Sequence, residues 1–309
     1  MRLEGIHHIT AITADARANV DFYARLLGLR LVKKTVNFDA PDVYHLYYGD
    51  EQGSPGSILT FFEFPGAALG RPGAGMIHTI SMRVGDDSAL EFWRSRLEAG
   101  GVVVEDAGGR LAFADPEGLR FELTVDRVPD PPLVAAAPDV LGAHALRGFA
   151  GVRAYAADPD AAGPLLEGAL GFTRLDDAGH LVAGEIRRAT YGYDAPPDRS
   201  GLQGAGTVHH IAWSARDEDE QRVWRQRVAD HGGRPTPIID RTYFRSVYFR
   251  EPSGVLFELA TRGPGFAVDE PPQRLGEGLM LPERYEPMRA QLERTLTPLA
   301  NPRARAAAR

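Results

Sequence analysis

The chain has 309 residues, of which 43% are hydrophobic and 25% charged, so its composition is that of a folded protein with room for two domains. It contains no cysteine, which excludes disulfides, zinc–thiolate sites, iron–sulfur clusters and cysteine nucleophiles, and its net charge of −7 disfavours a general nucleic-acid-binding protein. No apolar run approaches the roughly 20 residues that span a membrane. The first residues, MRLEGIHHIT, lack the basic and then apolar pattern of a secretory signal. We therefore expect a cytoplasmic protein, without membrane or nucleic-acid partners, that acts on a small molecule.

The sequence contains an internal repeat. Residues 76–86, MIHTISMRVGD, and 207–217, TVHHIAWSARD, both alternate apolar and polar residues and end in Asp, as a half-buried strand leading into a helix does. The same spacing relates Trp93 to Trp224 in the helical segments that follow. Further along, the segments DPEGLRFEL and EPSGVLFEL also correspond. These matches indicate a duplication.

Two fainter copies complete the pattern. Residues 5–15, GIHHITAITAD, repeat the strand ahead of the helical segment ARANVDFYARLLG, and residues 148–158, GFAGVRAYAAD, take that place in a third copy. Each copy continues through two or three alternating runs, such as VYHLYYGD at 43–50. The unit is a strand, a helix and about three strands. Four βαβββ modules predict an α+β fold with two curved mixed sheets, because a single module cannot bury its sheet face alone.

We expect the following division of the chain. Residues 1–128 hold the first pair of modules, and residues 146–264 hold the second pair. The Pro/Ala-rich segment 129–145 is a linker between them. A tail, 265–309, contains one short helix near 284–296 and ends in NPRARAAAR, which we expect to be disordered.

The four modules differ at two adjacent positions of the first strand. These positions are His7-His8, His78-Thr79, Ala150-Gly151 and His209-His210 in chain order. Adjacent residues of a strand face opposite sides, so only one histidine of each pair is expected to enter a given cavity.

A carboxylate recurs in the last strand, as Glu122 in the second module and Glu258 in the fourth. If the first and fourth modules pair, one histidine from each converges with Glu258. Two imidazoles and one carboxylate are the facial ligand set of non-haem Fe(II) oxygenases. The second and third modules offer only Thr79, Gly151 and Glu122, so one metal is expected. The alternative for each carboxylate is pairing with an arginine or partial exposure, and we expect this for Glu122.

The segments GIHHITAIT, FYARLLGLRLVKKTVNFDAPDVYHLYYGD, TVHHIAW and EPSGVLFELAT resemble the vicinal oxygen chelate superfamily of glyoxalases, bleomycin resistance proteins and extradiol dioxygenases. They are most similar to its two-domain ring-cleaving hydroquinone dioxygenases. The resemblance covers residues 1–265, and the tail motif GEGLMLPERYEPMRAQLE is also similar to that subfamily. It implies Fe(II), with Mn, Ni or Zn as alternatives, and a small aromatic substrate with O2 as partners. It leaves homo-oligomerisation open.

Carried over residue by residue, the resemblance makes the second histidine of each pair a ligand. The implied metal ligands are His8, His210 and Glu258. It also implies a surrounding layer of catalytic residues, with His7 and Thr10 near the substrate, His209 as a proton shuttle, Tyr248 as a hydrogen-bonding group and Arg241 as a charge-stabilising group.

One departure limits what the resemblance implies. The catechol extradiol enzymes hold their metal between the third and fourth modules, where this chain has Gly151 in place of a ligand. That arrangement is therefore not expected here. His45, in the strand VYHLYYGD, could line the cavity, but a structural role is favoured.

The sequence thus predicts an Fe(II)-dependent dioxygenase that cleaves a hydroquinone or catechol-type ring. Two alternatives remain. A glyoxalase-type reaction with Ni or Zn would be favoured by a fourth carboxylate, for which Glu63 is the candidate of the first module. A protein that binds a small aromatic molecule without catalysis would not need three convergent ligands.

Overall fold

The computed structural model describes residues 1–176 and 179–303. It confirms the α+β class and the four βαβββ modules. The first module contains β1 (Ile6–Thr13), α1 (Ala16–Val20) continued by a π-helical turn (Asp21–Leu26), β2 (Arg30–Asn37), β3 (Ala40–Gly49) and β4 (Ile58–Glu63). The second contains β5 (Ile77–Val84), α2 (Asp87–Ala99), β6 (Glu105–Asp106), β7 (Leu111–Ala114) and β8 (Arg120–Val125).

The other two modules repeat this order. The third contains β9 (Phe149–Tyr155), a 3-10 turn (Asp160–Ala162), a π-helical turn (Pro164–Ala169), β10 (Thr173–Asp176), β11 (Gly179–Ala183) and β12 (Arg188–Asp194). The fourth contains β13 (Val208–Ala215), α3 (Glu218–Asp230), β14 (Ile239–Asp240), β15 (Phe244–Arg250) and β16 (Leu256–Pro264). No helix of the described residues is long and apolar enough to cross a membrane.

Local sequence signals set the ends of the helices. Asp15, Asp86 and Asp217 each precede a helix, and each side chain accepts hydrogen bonds from backbone N–H groups of the first turn. Gly101 and Gly232 follow α2 and α3 with φ of 78° and 82°, a left-handed conformation that suits glycine and ends a helix. The aspartates therefore have the same structural role in the first, second and fourth copies, and the two glycines have the same role in the second and fourth.

The modules pair across the linker. One eight-stranded sheet has the order β14-β15-β16-β13-β1-β4-β3-β2, and the other has the order β10-β11-β12-β9-β5-β8-β7-β6. The first sheet thus joins the first and fourth modules, and the second sheet joins the second and third. β1 runs antiparallel to β13, and β5 runs antiparallel to β9.

The first sheet curls until its two halves meet. The ring of Tyr47 on β3 lies 6.0 Å from the ring of Tyr243, just before β15, although four strands separate β3 from β15 in the sheet. Asp39, between β2 and β3, pairs with Arg241, which follows β14, at 3.0 Å. These contacts enclose a cavity on the concave face.

The tail packs against the first module. It contains 3-10 turns at Phe266–Val268, Pro272–Arg274 and Glu283–Met288, and then the helix α4 (Arg289–Thr295). The single helix expected near 284–296 is thus divided, because Pro287 lacks the N–H that a continuous α-helix needs. The expected disordered end, 301–309, is described only to Arg303, which pairs with Glu51; residues 304–309 lie outside the described residues.

The buried ammonium group of Lys33 anchors this tail. Lys33 is fully buried on β2 and pairs with Asp269 at 2.6 Å and with Glu270. We expect Lys33→Ala to lower the free energy of unfolding by about 3–5 kcal/mol, because it leaves the buried Glu270 carboxylate without its cation. Urea unfolding would measure the loss.

Lys34→Ala is the matched control, since among the described residues the neighbouring ammonium group donates to a backbone carbonyl, that of Glu277 at 3.3 Å. We expect it to cost less than about 1 kcal/mol. Equal losses in the two variants would contradict an anchoring role for Lys33.

Candidate metal centre and cavity

Three potential metal ligands lie on three adjacent strands of the first sheet. His8 is on β1, His210 on β13 and Glu258 on β16, and all three side chains are buried. His8 Nε2 lies 3.3 Å from His210 Nε2 and 3.2 Å from Glu258 Oε2, and His210 Nε2 lies 3.0 Å from Glu258 Oε2. Among the described residues, this is the group of three whose side chains could hold a metal ion.

The geometry of these atoms fits a divalent cation. Metal–nitrogen and metal–oxygen bonds of about 2.0–2.2 Å set neighbouring ligand atoms about 3 Å apart. Within the described chain, Glu258 Oε2 is buried and has no hydrogen-bond partner of acceptable geometry, although two imidazole nitrogens lie close to it. Such an oxygen is costly to leave unpaired, and a cation between the three atoms would satisfy it.

Two β-bulges lie at the histidine pairs. In the pairing of β1 with β13, Ile6 and His8 face consecutive residues of β13, so His7 is the extra residue on β1. Farther along, Thr10 faces His210 while Ala11 faces Val208, which makes His209 the extra residue on β13. The expectation that one histidine of each pair enters the cavity is confirmed for the first pair, of which His8 lines the cavity and His7 does not, and is wrong for the second, since both His209 and His210 line it. A bulge re-aims a side chain in this way.

His7 orients the imidazole of His8. The Nε2 of His7 lies 3.0 Å from the Thr261 carbonyl, which can only accept, so this nitrogen carries the hydrogen. Burial, and then the neighbouring His8, lower the pKa of His7 to about 3, so the ring is neutral at pH 7. Its Nδ1 then accepts from His8 Nδ1 at 2.9 Å, which leaves the Nε2 lone pair of His8 free to bind a metal.

The other two candidate ligands are held in a similar way. His209 Nδ1 lies 2.8 Å from His210 Nδ1, and burial together with His210 lowers the pKa of His209 to about 4. The hydroxyl of Ser246 donates to Glu258 Oε1 at 2.5 Å. Burial alone would raise the pKa of Glu258, but the two imidazoles outweigh burial and hold it well below its usual value.

A cavity of about 480 Å³ opens beside these residues. Its volume suits a small organic ligand. Its polar lining includes the four imidazoles of His8, His45, His209 and His210. Its apolar lining includes Ile12, Phe38, Phe62, Phe64, Phe244 and Leu256.

Arg241 and Tyr248 form a polar pair in the cavity wall. The Nε of Arg241 donates to the Tyr248 hydroxyl at 3.3 Å, and the guanidinium group also pairs with Asp39. Burial and the Glu258 carboxylate raise the pKa of Tyr248, so its phenol stays protonated at neutral pH. Thr242 has a φ of 68°, an uncommon conformation for a β-branched residue, directly after Arg241.

The structure divides the expected catalytic residues into two groups. His209, Arg241 and Tyr248 line the cavity. His7 and Thr10 are buried next to it and are outside its lining, with His7 behind His8 and Thr10 bonded to Thr60.

Three other residues can be compared with expectation. His45, for which a structural role is favoured by the sequence, lines the cavity together with Tyr47. Strand alternation already puts these two residues on one face. Glu63 is buried outside the lining, where it accepts from the Ala16 N–H and the Thr297 hydroxyl. Glu122 pairs with Arg110 at 3.0 Å, which confirms the expectation that this carboxylate pairs with an arginine or is partly exposed.

Comparison with known proteins supports the superfamily resemblance. The sequence-family model of the Glyoxalase/Bleomycin resistance protein/Dioxygenase superfamily matches residues 5–123 and 148–259. The "Putative ring-cleaving dioxygenase MhqO" of Bacillus subtilis (strain 168) is 44% identical over 302 residues, which are 95% of this chain and 96% of that protein. The "Chlorohydroquinone/hydroquinone 1,2-dioxygenase" of Sphingobium indicum is 33% identical over 314 residues, covering 96% of each chain.

A solved structure has the same overall fold. It is a crystal structure described as "putative dioxygenase from Bacillus subtilis subsp. subtilis str. 168", and it superposes with a TM-score of 0.90 at 42% identity. The match covers 97% of this chain and 98% of that one. The similarity therefore includes the tail as well as the four modules.

The Ser246 hydroxyl is expected to tune metal binding through the Glu258 carboxylate. We expect Ser246→Ala to weaken the affinity for a divalent metal by about 10- to 100-fold, as the loss of a residue that orients a ligand does. Competition between the protein and a chromogenic chelator for Mn(II) or Zn(II) would measure the change. Ser214→Ala changes a buried serine on β13 and is the control that should leave the metal affinity unchanged. Equal affinity of Ser246→Ala and the unmodified protein would contradict this role.

Proposed function

The chain belongs to the glyoxalase/bleomycin resistance protein/dioxygenase superfamily, and on that basis we propose that it is a ring-cleaving dioxygenase with a mononuclear Fe(II) held by His8, His210 and Glu258. One observation carries the proposal. Two imidazole nitrogens and one carboxylate oxygen, all buried, meet within 3.3 Å beside a cavity that both histidines line together with aromatic side chains. Two histidines and one carboxylate leave open positions for a substrate and O2.

The proposed substrate is a hydroquinone or catechol-type ring. Support comes from the phenylalanines of the cavity, which suit a flat apolar ring, and from the relative in Sphingobium indicum that is named for chlorohydroquinone and hydroquinone. The overall reaction would insert both atoms of O2 into the ring and open it. When bound, Fe(II) would supply the electron-transfer chemistry that lets the ring react with O2.

The residues of the cavity would provide binding and orientation through hydrogen bonds. The protonated Tyr248 can donate a hydrogen bond to a substrate oxygen, and the adjacent charge of Arg241 favours an anionic form of that oxygen. The imidazole of His209 is exposed in the cavity, and because its Nδ1 accepts from His210, its Nε2–H can donate a hydrogen bond to a substrate oxygen. His7 would act indirectly, by keeping the Nε2 lone pair of His8 directed at the metal.

The glyoxalase-type alternative has weaker support. It would be favoured by a fourth carboxylate ligand, but Glu63 is engaged by Ala16 and Thr297 outside the cavity lining. Asp39 does line the cavity, and its carboxylate pairs with Arg241. Binding without catalysis also has weaker support. Among the described residues the buried Oε2 of Glu258 has no hydrogen-bond partner of acceptable geometry, and a cation would satisfy it whereas an aromatic ring would not.

Oxygen uptake tests the proposed reaction. Protein loaded anaerobically with Fe(II) would be mixed with aerated buffer and a series of hydroquinones and catechols. We expect O2 consumption in proportion to a ring-opened product. Glu258→Ala should lower the rate by at least about 100-fold, because it removes a direct metal ligand.

The duplication provides a matched control. Glu122→Ala removes the corresponding carboxylate of the second module, which pairs with Arg110 outside the proposed site, and should leave the rate within about twofold. If Fe(II) binds and no aromatic compound consumes O2, the dioxygenase proposal fails and a glyoxalase-type reaction becomes the better hypothesis.

A further inference from the structure

A chain of hydrogen bonds crosses the concave face of the first sheet. His210, Thr10, Thr60 and Tyr47 are register partners in one row that crosses β13, β1, β4 and β3. Thr60 and Thr10 join through their hydroxyls at 2.9 Å. His45, two residues before Tyr47 on the same face, connects Thr60 to Tyr47 with contacts of 2.8 Å on each side. The row thus links the wall of the metal site to the opposite wall.

The directions of the other bonds follow from that of the bond between the two threonines, in which Thr60 donates. The Thr60 hydroxyl has one hydrogen and donates it to Thr10, so it accepts from His45 Nε2. A neutral imidazole with its hydrogen on Nε2 accepts at Nδ1. Burial, and then the nearby His8 and His210, lower the pKa of His45 well below its usual value, which keeps the ring neutral. The Tyr47 hydroxyl therefore donates to His45 Nδ1.

This order gives the Tyr47 oxygen a fixed polarity. Its hydrogen is engaged by His45, so the oxygen can offer only lone pairs to a ligand in the cavity that Tyr47 lines. Burial and the nearby Tyr248 raise the pKa of Tyr47, so the phenol does not ionise at neutral pH. Tyr47 is three strands from His210 in the sheet, and the curl of the sheet places the cavity between them.

We propose that Tyr47 accepts a hydrogen bond from the substrate hydroxyl that is not bound to the metal, and that His45, held by Thr60, is the positioning residue that sets this polarity. The proposal rests on the proposed function and specifies its substrate class. A ring bound through one oxygen at the triad directs a para hydroxyl toward the far wall, whereas an ortho hydroxyl stays next to the first oxygen. Tyr47 would thus favour 1,4-dihydroxybenzenes over catechols.

Binding of three small ligands tests the acceptor role independently of turnover. Fe(II)-loaded protein would be titrated anaerobically by calorimetry with hydroquinone, phenol and 4-methoxyphenol. We expect hydroquinone to bind about five- to tenfold more tightly than phenol, the value of one hydrogen bond. 4-Methoxyphenol should bind no more tightly than phenol, because its ether oxygen has no hydrogen to donate. Tyr47→Phe should remove the preference for hydroquinone and leave the affinity for phenol within twofold.

Two substitutions of His45 separate positioning from simple packing. His45→Asn keeps a polar atom near Nδ1, where Tyr47 donates, and should retain most of the preference for hydroquinone. His45→Gln extends its amide toward Thr60, leaves the Tyr47 hydroxyl free to rotate, and should lose the preference. Thermal unfolding of each variant would establish that it is folded at the temperature of the titration.

Three results would overturn the proposal: equal affinity of the unmodified protein for hydroquinone and phenol, a preference that survives in Tyr47→Phe, or 4-methoxyphenol binding as tightly as hydroquinone. The last result would mean that Tyr47 donates to the ligand. Oxygen uptake distinguishes this failure from failure of the proposed function. Ring cleavage without the binding preference removes only the role of Tyr47, and the preference without ring cleavage removes only the dioxygenase reaction.

Discussion

The antiparallel pairing of β1 with β13 is the contact on which the candidate site depends. It joins the first and last modules of the chain and brings His8 and His210 to 3.3 Å from each other. The two bulges in this pairing, at His7 and His209, let consecutive histidines bond to each other while one of each pair points at Glu258. A slip of one residue in the register would turn these side chains to the opposite face and separate the three ligands.

The second sheet has the same backbone arrangement, but its carboxylate has a different positively charged partner. The pairing of β5 with β9 has register shifts at His78 and Ala150, the positions that correspond to His7 and His209. The bulges therefore belong to the duplicated unit and do not by themselves make a metal site. Glu122 takes its positive partner from Arg110, whereas Glu258 has two imidazoles and an unpartnered oxygen. In the second sheet, the positive charge beside the carboxylate is the side chain of Arg110. In the first sheet, the corresponding place can be taken by a bound cation.

The sequence is informative where the repeat can be compared with itself. The four modules, the capping aspartates and the convergence of one histidine from each of the first and fourth modules with Glu258 follow from differences and identities between copies, whereas the choice of His8 and His210 follows from the family resemblance. The repeat contains no information on the curl of the sheet, which brings Asp39 to Arg241 and places Tyr47 opposite the metal ligands. Strict alternation could not predict the bulges either, since a bulge depends on the partner strand and not on one strand alone.

The cavity is built mainly by the first and fourth modules, and the tail packs against the outside of its wall. Most of the lining comes from the first and fourth modules, including Phe38 and Phe244. The Phe38 carbonyl accepts hydrogen bonds from Arg284 and Tyr285 of the tail, so the turn that carries Phe38 and Asp39 is held from outside by the tail and from inside by Arg241. Because both sides of that turn are fixed, the cavity wall that faces the metal ligands keeps its shape without a contribution from the second sheet. The pairing of β5 with β9 in the second sheet instead connects the two halves of the chain.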